Sequence, residues 1–218
     1  GLGCAGALLQ GIFANPLAEP SIIGVSSGGA VFASGLLAIA SLAGVERSYG
    51  FLKWGTALAA FIGALLTTLL VYSLSRVQGK TVVVNLILVG VAINAMAGGF
   101  VTLFSFIGGT MAQSQVVFWQ LGSLAGAGWS SAVITLIITV IGIVVACLCA
   151  PKMDLLALGE NQARHLGVNV ERFRLCVIIL VAALVGVGVA FAGVIAFVGL
   201  IVPHAIRLII GPQHKWLL

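Results

Sequence analysis

Long apolar runs separated by short polar or glycine-rich breaks organise this chain. Residues 1–13 form one apolar segment, 22–42 a second, 55–75 a third, 82–106 a fourth and 130–150 a fifth. Leu175–Ile210 is a last apolar region, too long for one straight span. A helix needs about 20 apolar residues to cross the hydrocarbon core of a bilayer. At the helical rise, 55–75 reaches roughly 31 Å. The pattern predicts about six transmembrane helices, hence an all-α polytopic membrane protein. Gly186, Gly188, Gly193, Gly199 and Pro203 are expected to break the last region into a span and a shorter helix.

The breaks differ in character. Asn15-Pro16-Leu17-Ala18-Glu19-Pro20 is short and polar, and the glycine-rich, uncharged stretch Ser21–Ala30 follows it. Val45–Trp54 is polar and aromatic, as an interfacial segment should be. Arg76–Lys80 reads as a tight basic turn, and Gly108–Trp129 as a long uncharged connection. Pro151–Arg174 is the only extended charged stretch. Alternation puts Arg76, Lys80, Lys152, Arg164, Arg172 and Arg174 on one side of the membrane, and Arg47, Lys53, Arg207 and Lys215 on the other. The richer side is expected to be cytoplasmic.

Composition excludes a soluble class: 61% of residues are hydrophobic and only 7% charged, where globular domains run near 25% charged. The net charge of +5 does not point to nucleic acid, because the ten Lys and Arg sit singly in connecting segments. Cys4, Cys147, Cys149 and Cys176 show no zinc or redox spacing, so no metal site or cofactor is expected. No phosphate-binding glycine loop with Lys is present, so the chain is not expected to hydrolyse ATP. No nucleophile–base pair suggests an enzyme. Asp and Glu are missing from all five spans through 175–202, which argues against a secondary transporter or channel working alone. The chain opens inside an apolar segment without Met and reads as a fragment.

Three stretches carry candidate chemistry. Residues 10–30 read either as a kinked hairpin, with Pro16 and Pro20 ending one helix and starting another, or as a broken helix lining a pathway, since irregular backbone at membrane depth survives only beside protein or a water-filled cavity. Glu160–Leu166 reads as a short helix with Glu160 and Arg164 paired at i,i+4. Such a helix lies on the membrane surface or docks a cytoplasmic partner. Pro203-His204 with Arg207 ends the last apolar region, as groups at a helix end that snorkel or as an intramembrane site.

Together these stretches resemble the permease subunits of type II ABC importers for iron-siderophores, haem and vitamin B12. The matching residues are Gly6–Gln10 with Asn15–Pro20 and Gly24–Gly28, Phe118–Leu124, Leu156–Glu160 with Ala163-Arg164 and Leu166-Gly167, and Gly199–His204, Arg207 and Gly211–Leu218. Asn15, Pro16, Pro20, Gly24, Gly28, Pro203 and His204 stand as structural markers of the family.

The resemblance implies ten transmembrane helices in a full subunit, of which this chain holds the second to the seventh and the start of the eighth region. Residues 1–218 would then be one incomplete permease domain in the cell membrane, with 151–174 as a cytoplasmic coupling segment. Leu158, Gly159, Glu160, Ala163, Arg164, Leu166 and Gly167 would dock on an ATPase dimer. Thr81, Val82, Val83 and Val84 would form the cytoplasmic gate, whose apolar character suggests closure by dewetting. Arg47, Lys53, Arg207 and Lys215 would meet an extracytoplasmic substrate-binding protein. A second permease copy completes the pathway, and Asn15–Pro20 becomes a cytoplasmic-side turn. The expected cargo is an iron-siderophore first, then haem, then vitamin B12.

Overall fold

The computed structural model describes residues 1–44, 49–211, 213, 217 and 218. Its helices are α1 (Leu2–Ile12), α2 (Val25–Leu42), α3 (Tyr49–Leu74), α4 (Val83–Ile107), α5 (Gly109–Leu121), α6 (Trp129–Ala157), α7 (Glu160–His165), α8 (Val170–Ala192) and α9 (Val198–Ile210). A 3-10 turn, Pro20–Ile23, precedes α2, and a two-stranded hairpin joins α3 to α4 through β1 (Arg76–Val77) and β2 (Lys80–Thr81). Among the described residues, five helices are long and apolar enough to cross a membrane, namely α2, α3, α4, α6 and α8, while α1 and α9 are shorter apolar helices.

Helix α8 is the centre of the bundle. Val177, Val181, Val185 and Val189 recur every fourth residue and are all buried, the spacing that puts side chains on one helix face. Helix α3 runs antiparallel to it. Tyr72 meets Glu171 at one end, and Trp54 packs edge-on to Phe191 at the other, with ring centroids 5.6 Å apart. Small residues set the closest crossings, as expected where lipid gives helices no hydrophobic drive to associate. A Cβ on Gly6 of α1 would collide with the Gly199 carbonyl of α9, and one on Gly28 of α2 with Thr67 of α3.

Several sequence expectations need correction. Gly108–Trp129 is not simply a connection, because α5 occupies most of it and buries Ala112 and Val116. The interfacial segment 45–54 is already helical from Tyr49. Pro151 lies inside α6, which continues to Ala157. A proline there frees one carbonyl of the preceding turn without ending the helix. Helix α8 begins at Val170, so Glu171, Arg172 and Arg174 belong to it and not to a charged loop. The last region does divide into a span, α8, and a shorter helix, α9, but of the five expected breakers only Gly193 lies at the break; Gly186 and Gly188 lie within α8, and Gly199 and Pro203 within α9.

Candidate functional site

The Asn15–Pro20 break divides into two parts. Asn15, Pro16 and Leu17 are exposed, and the Asn15 side-chain oxygen accepts from the Leu17 N–H at 2.9 Å, a local turn typical of Asn. Ala18, Pro20 and Ile23 are buried. The 3-10 turn lies against the middle of α4, where a Cβ on Gly90 would collide with the Ile22 carbonyl. Asn94 donates to the Ser21 carbonyl at 3.1 Å and accepts from the Ser27 hydroxyl at 2.5 Å. The amide thus adds a second hydrogen bond to the Ser21 carbonyl, which already accepts from the Gly24 N–H within the 3-10 turn. Gly24 follows at φ 83°, a left-handed conformation that opens α2 and favours glycine.

A cavity of about 500 Å³ opens here, lined by Ser21, Ser26, Ser27, Asn94, Thr102 and Gln120 among others. Asn94 was not singled out from the sequence. The available signal was an amide well inside a span without charged residues.

The hairpin between α3 and α4 turns on Gln78 and Gly79, both with positive φ, the geometry of a tight type I′ connection. Thr81 pairs with Arg76 across it. Val82 and Val84 are exposed, Val83 is half-buried and packs on the core, and Thr81 is buried.

Helix α7 is framed by Gly159 at φ 115° and Gly167 at φ 86°. Ala163 is fully buried beneath it, while Leu158 and Leu166 are 61% and 62% exposed on either side. Arg164 lies 3.7 Å from Glu160 as the i,i+4 spacing predicts. The stronger partner of Glu160 is Arg174 of α8, at 2.6 Å. Arg174 is 1% exposed, and its second neighbour, Glu171, is 3.6 Å away. Glu171 also accepts from the N–H and the hydroxyl of Thr81, at 3.0 and 2.7 Å. The two sets of residues expected at the coupling segment and the gate therefore meet at one end of the bundle. Glu171 and Arg174, which join them, were read from sequence only as loop charges.

The remaining expected residues lie elsewhere. Lys53 is half-buried and donates to the Gly126 carbonyl at 2.8 Å, at the edge of a second cavity of about 450 Å³ that also includes Trp119 and Phe191. Arg207 and His204 are half-buried on α9, and the Arg207 Nε and His204 Nδ1 have no hydrogen-bond partner among the described residues. Arg47 and Lys215 lie outside the described residues. Among the described residues, no three His, Cys, Asp or Glu side chains come together as metal ligands.

A model of the FecCD transport family matches residues 1–218, the whole chain. The chain belongs to the FecCD transport family. It is 37% identical over 222 residues to the hemin transport system permease protein HmuU of Yersinia pestis. It is 38% identical over 217 residues to the cobalamin import system permease protein BtuC of Halobacterium salinarum, and 36% over 217 residues to the vitamin B12 import system permease protein BtuC of Vibrio vulnificus. Each alignment covers all of this chain but 65%, 56% and 63% of those proteins, respectively. The fold is shared with a solved inward-facing structure of a transporter assigned to the metal-chelate type of ABC transporters, with TM-score 0.85 and 32% identity over 99% of this chain and 66% of that one. This FecCD chain is a multi-pass membrane protein with an ABC-permease fold.

Proposed function

We propose that this FecCD chain is part of the permease subunit of a type II ABC importer in the cell membrane, carrying a metal chelate inward while a separate ATPase dimer hydrolyses ATP. The observation that carries the reading is the match to the family over all 218 residues. The proposed cargo is haem or vitamin B12, because the similar permeases are described by hemin and cobalamin. An iron-siderophore, first in expectation from the sequence, has no such support among them.

The geometry supports the following assignment of working parts. Segment 151–174 acts as the coupling region of a single permease domain, with α7 as the docking helix. Leu158 and Leu166 supply apolar anchors, and Glu160 and Arg164 a polar rim around Ala163. Thr81 to Val84 form the gate, and the exposed valines favour expulsion of water when two copies approach. Asn94, Ser27 and Thr102 offer neutral hydrogen-bonding groups along the path, enough to pass a solute without holding it. Lys53 and Arg207 are the described residues that would meet an acidic surface on an external binding protein, a role expected from sequence for Arg47 and Lys215 as well.

The test is uptake by the full-length permease, reconstituted with its ATPase and binding protein, offered haemin, cobalamin and a ferric siderophore in turn. Accumulation of haemin or cobalamin supports the reading. Uptake of the siderophore alone refutes the cargo assignment.

A further inference from the structure

Helix α7 and the hairpin before α4 do not touch through their own side chains in the hydrogen-bond network; Glu171 stands between them. Its Oε2 accepts both the N–H and the hydroxyl of Thr81. Its Oε1 faces two guanidinium groups without a hydrogen bond to either, Arg174 Nη1 at 3.6 Å and Arg164 Nη2 at 3.9 Å. Arg174 meanwhile donates from Nη2 to Glu160 Oε1 at 2.6 Å, leaving Nη1 and Nε without hydrogen-bond partners among the described residues. The main-chain carbonyl of Glu171 accepts from Tyr72 at 3.5 Å, which ties the same residue to the end of α3.

We propose that Glu171 is the positioning residue that passes movement of α7 to the gate, with Arg174 shared between two carboxylates as the moving part. This rests on the reading that α7 docks on the ATPase and that Thr81–Val84 close the pathway. The physical argument is that a buried guanidinium keeps a carboxylate partner, because an unpaired charge there is strongly unfavourable. In this arrangement Glu160 is engaged and Glu171 waits, just beyond hydrogen-bond distance. Withdrawal of Glu160 by a shift of α7 leaves Oε1 of Glu171 as the nearest acceptor for Arg174. Engaging it moves the carboxylate whose other oxygen holds Thr81, at the foot of α4. The observed Arg174–Glu160 pairing and the proposed Arg174–Glu171 pairing are two discrete arrangements, which is what a transmitted switch requires. A static ion cluster would have the same charges but no dependence of the gate on the Thr81 hydroxyl.

The test uses the full-length permease with its ATPase in lipid nanodiscs, in a background with native cysteines replaced and a reporter at Val84→Cys. The rate of modification by a water-soluble maleimide is measured with and without a non-hydrolysable ATP analogue. In the parent, nucleotide changes the rate. In Thr81→Val and in Glu171→Ala that nucleotide response falls by about tenfold, with the ATPase still co-eluting, and Thr81→Ser restores it. Should Glu171→Ala not assemble, the Thr81→Val and Thr81→Ser pair decides alone, since both leave the ion cluster intact. A parent response with Thr81→Val responding equally overturns the link. A parent that ignores nucleotide overturns the gate reading itself, and the link with it.

Discussion

The Glu19 carboxylate accepts from the backbone N–H of Phe197 at 2.9 Å, joining the irregular segment before α2 to the one before α9. Phe197 sits at φ 64°, a left-handed conformation unusual for a bulky residue, immediately before α9. A carboxylate at a helix N-terminus is favourable because the first N–H groups lack partners and carry partial positive charge. Glu19→Ala is expected to cost about 1 kcal/mol, read as a lower melting temperature in detergent. Glu19→Gln keeps an acceptor and should lose less.

Asn94 bridges the Ser21 carbonyl and the Ser27 hydroxyl. Hydrogen bonds between membrane helices are worth about 1 kcal/mol, so Asn94→Ala should destabilise by that order. A double-mutant cycle with Ser27→Ala checks it: the combined loss should be smaller than the sum of the two, because the pair shares one bond.

Close backbone approach makes a sharper contrast. Gly90→Ala and Gly6→Ala each place a methyl group onto a carbonyl of a neighbouring segment, while a Cβ on Gly99 meets nothing within 4 Å. Expression followed by size-exclusion chromatography should give little folded protein for the first two. Gly99→Ala should fold, and gain up to about 1 kcal/mol from helix propensity.

The charged end separates stability from coupling. Arg164 and Glu160 are both exposed by more than a third, at 41% and 46%, and such a pair contributes about 0.5 kcal/mol. Arg164→Ala should therefore leave thermal stability nearly unchanged. Arg174→Ala leaves Glu171 without its closer cation in a buried setting, and should cost about 3 kcal/mol. Replacing Glu160 and Arg164 together with Ala is expected to uncouple ATP hydrolysis from uptake in vesicles, with the permease still folded.

These contrasts mark what the sequence made legible. The spans at 55–75 and 82–106 could be read because no charged residue interrupts their apolar runs. Helix α5 could not, because Gly, Ser and Gln flank its buried Ala112 and Val116, leaving only a sparse stripe. Pro151 looked like an end, yet a membrane helix tolerates proline where neighbours absorb the freed carbonyl. Glu160 and Arg164 were visible as an i,i+4 pair, while Thr81–Val84 was singled out only through the family resemblance. Glu171 and Arg174 were not, because charge near a span end reads as a loop, and only folding shows Arg174 buried between two carboxylates. Asn94 was hidden for the opposite reason: two amides, Asn85 and Asn94, in 25 helical residues hardly alter an apolar pattern.

The central claim is that a separate ATPase drives solute through this permease. ATP-dependent uptake by proteoliposomes holding the full-length permease, with and without the ATPase, tests it most directly. The account predicts accumulation of haemin or cobalamin only when both ATPase and ATP are present. Equal uptake by the permease alone would contradict it.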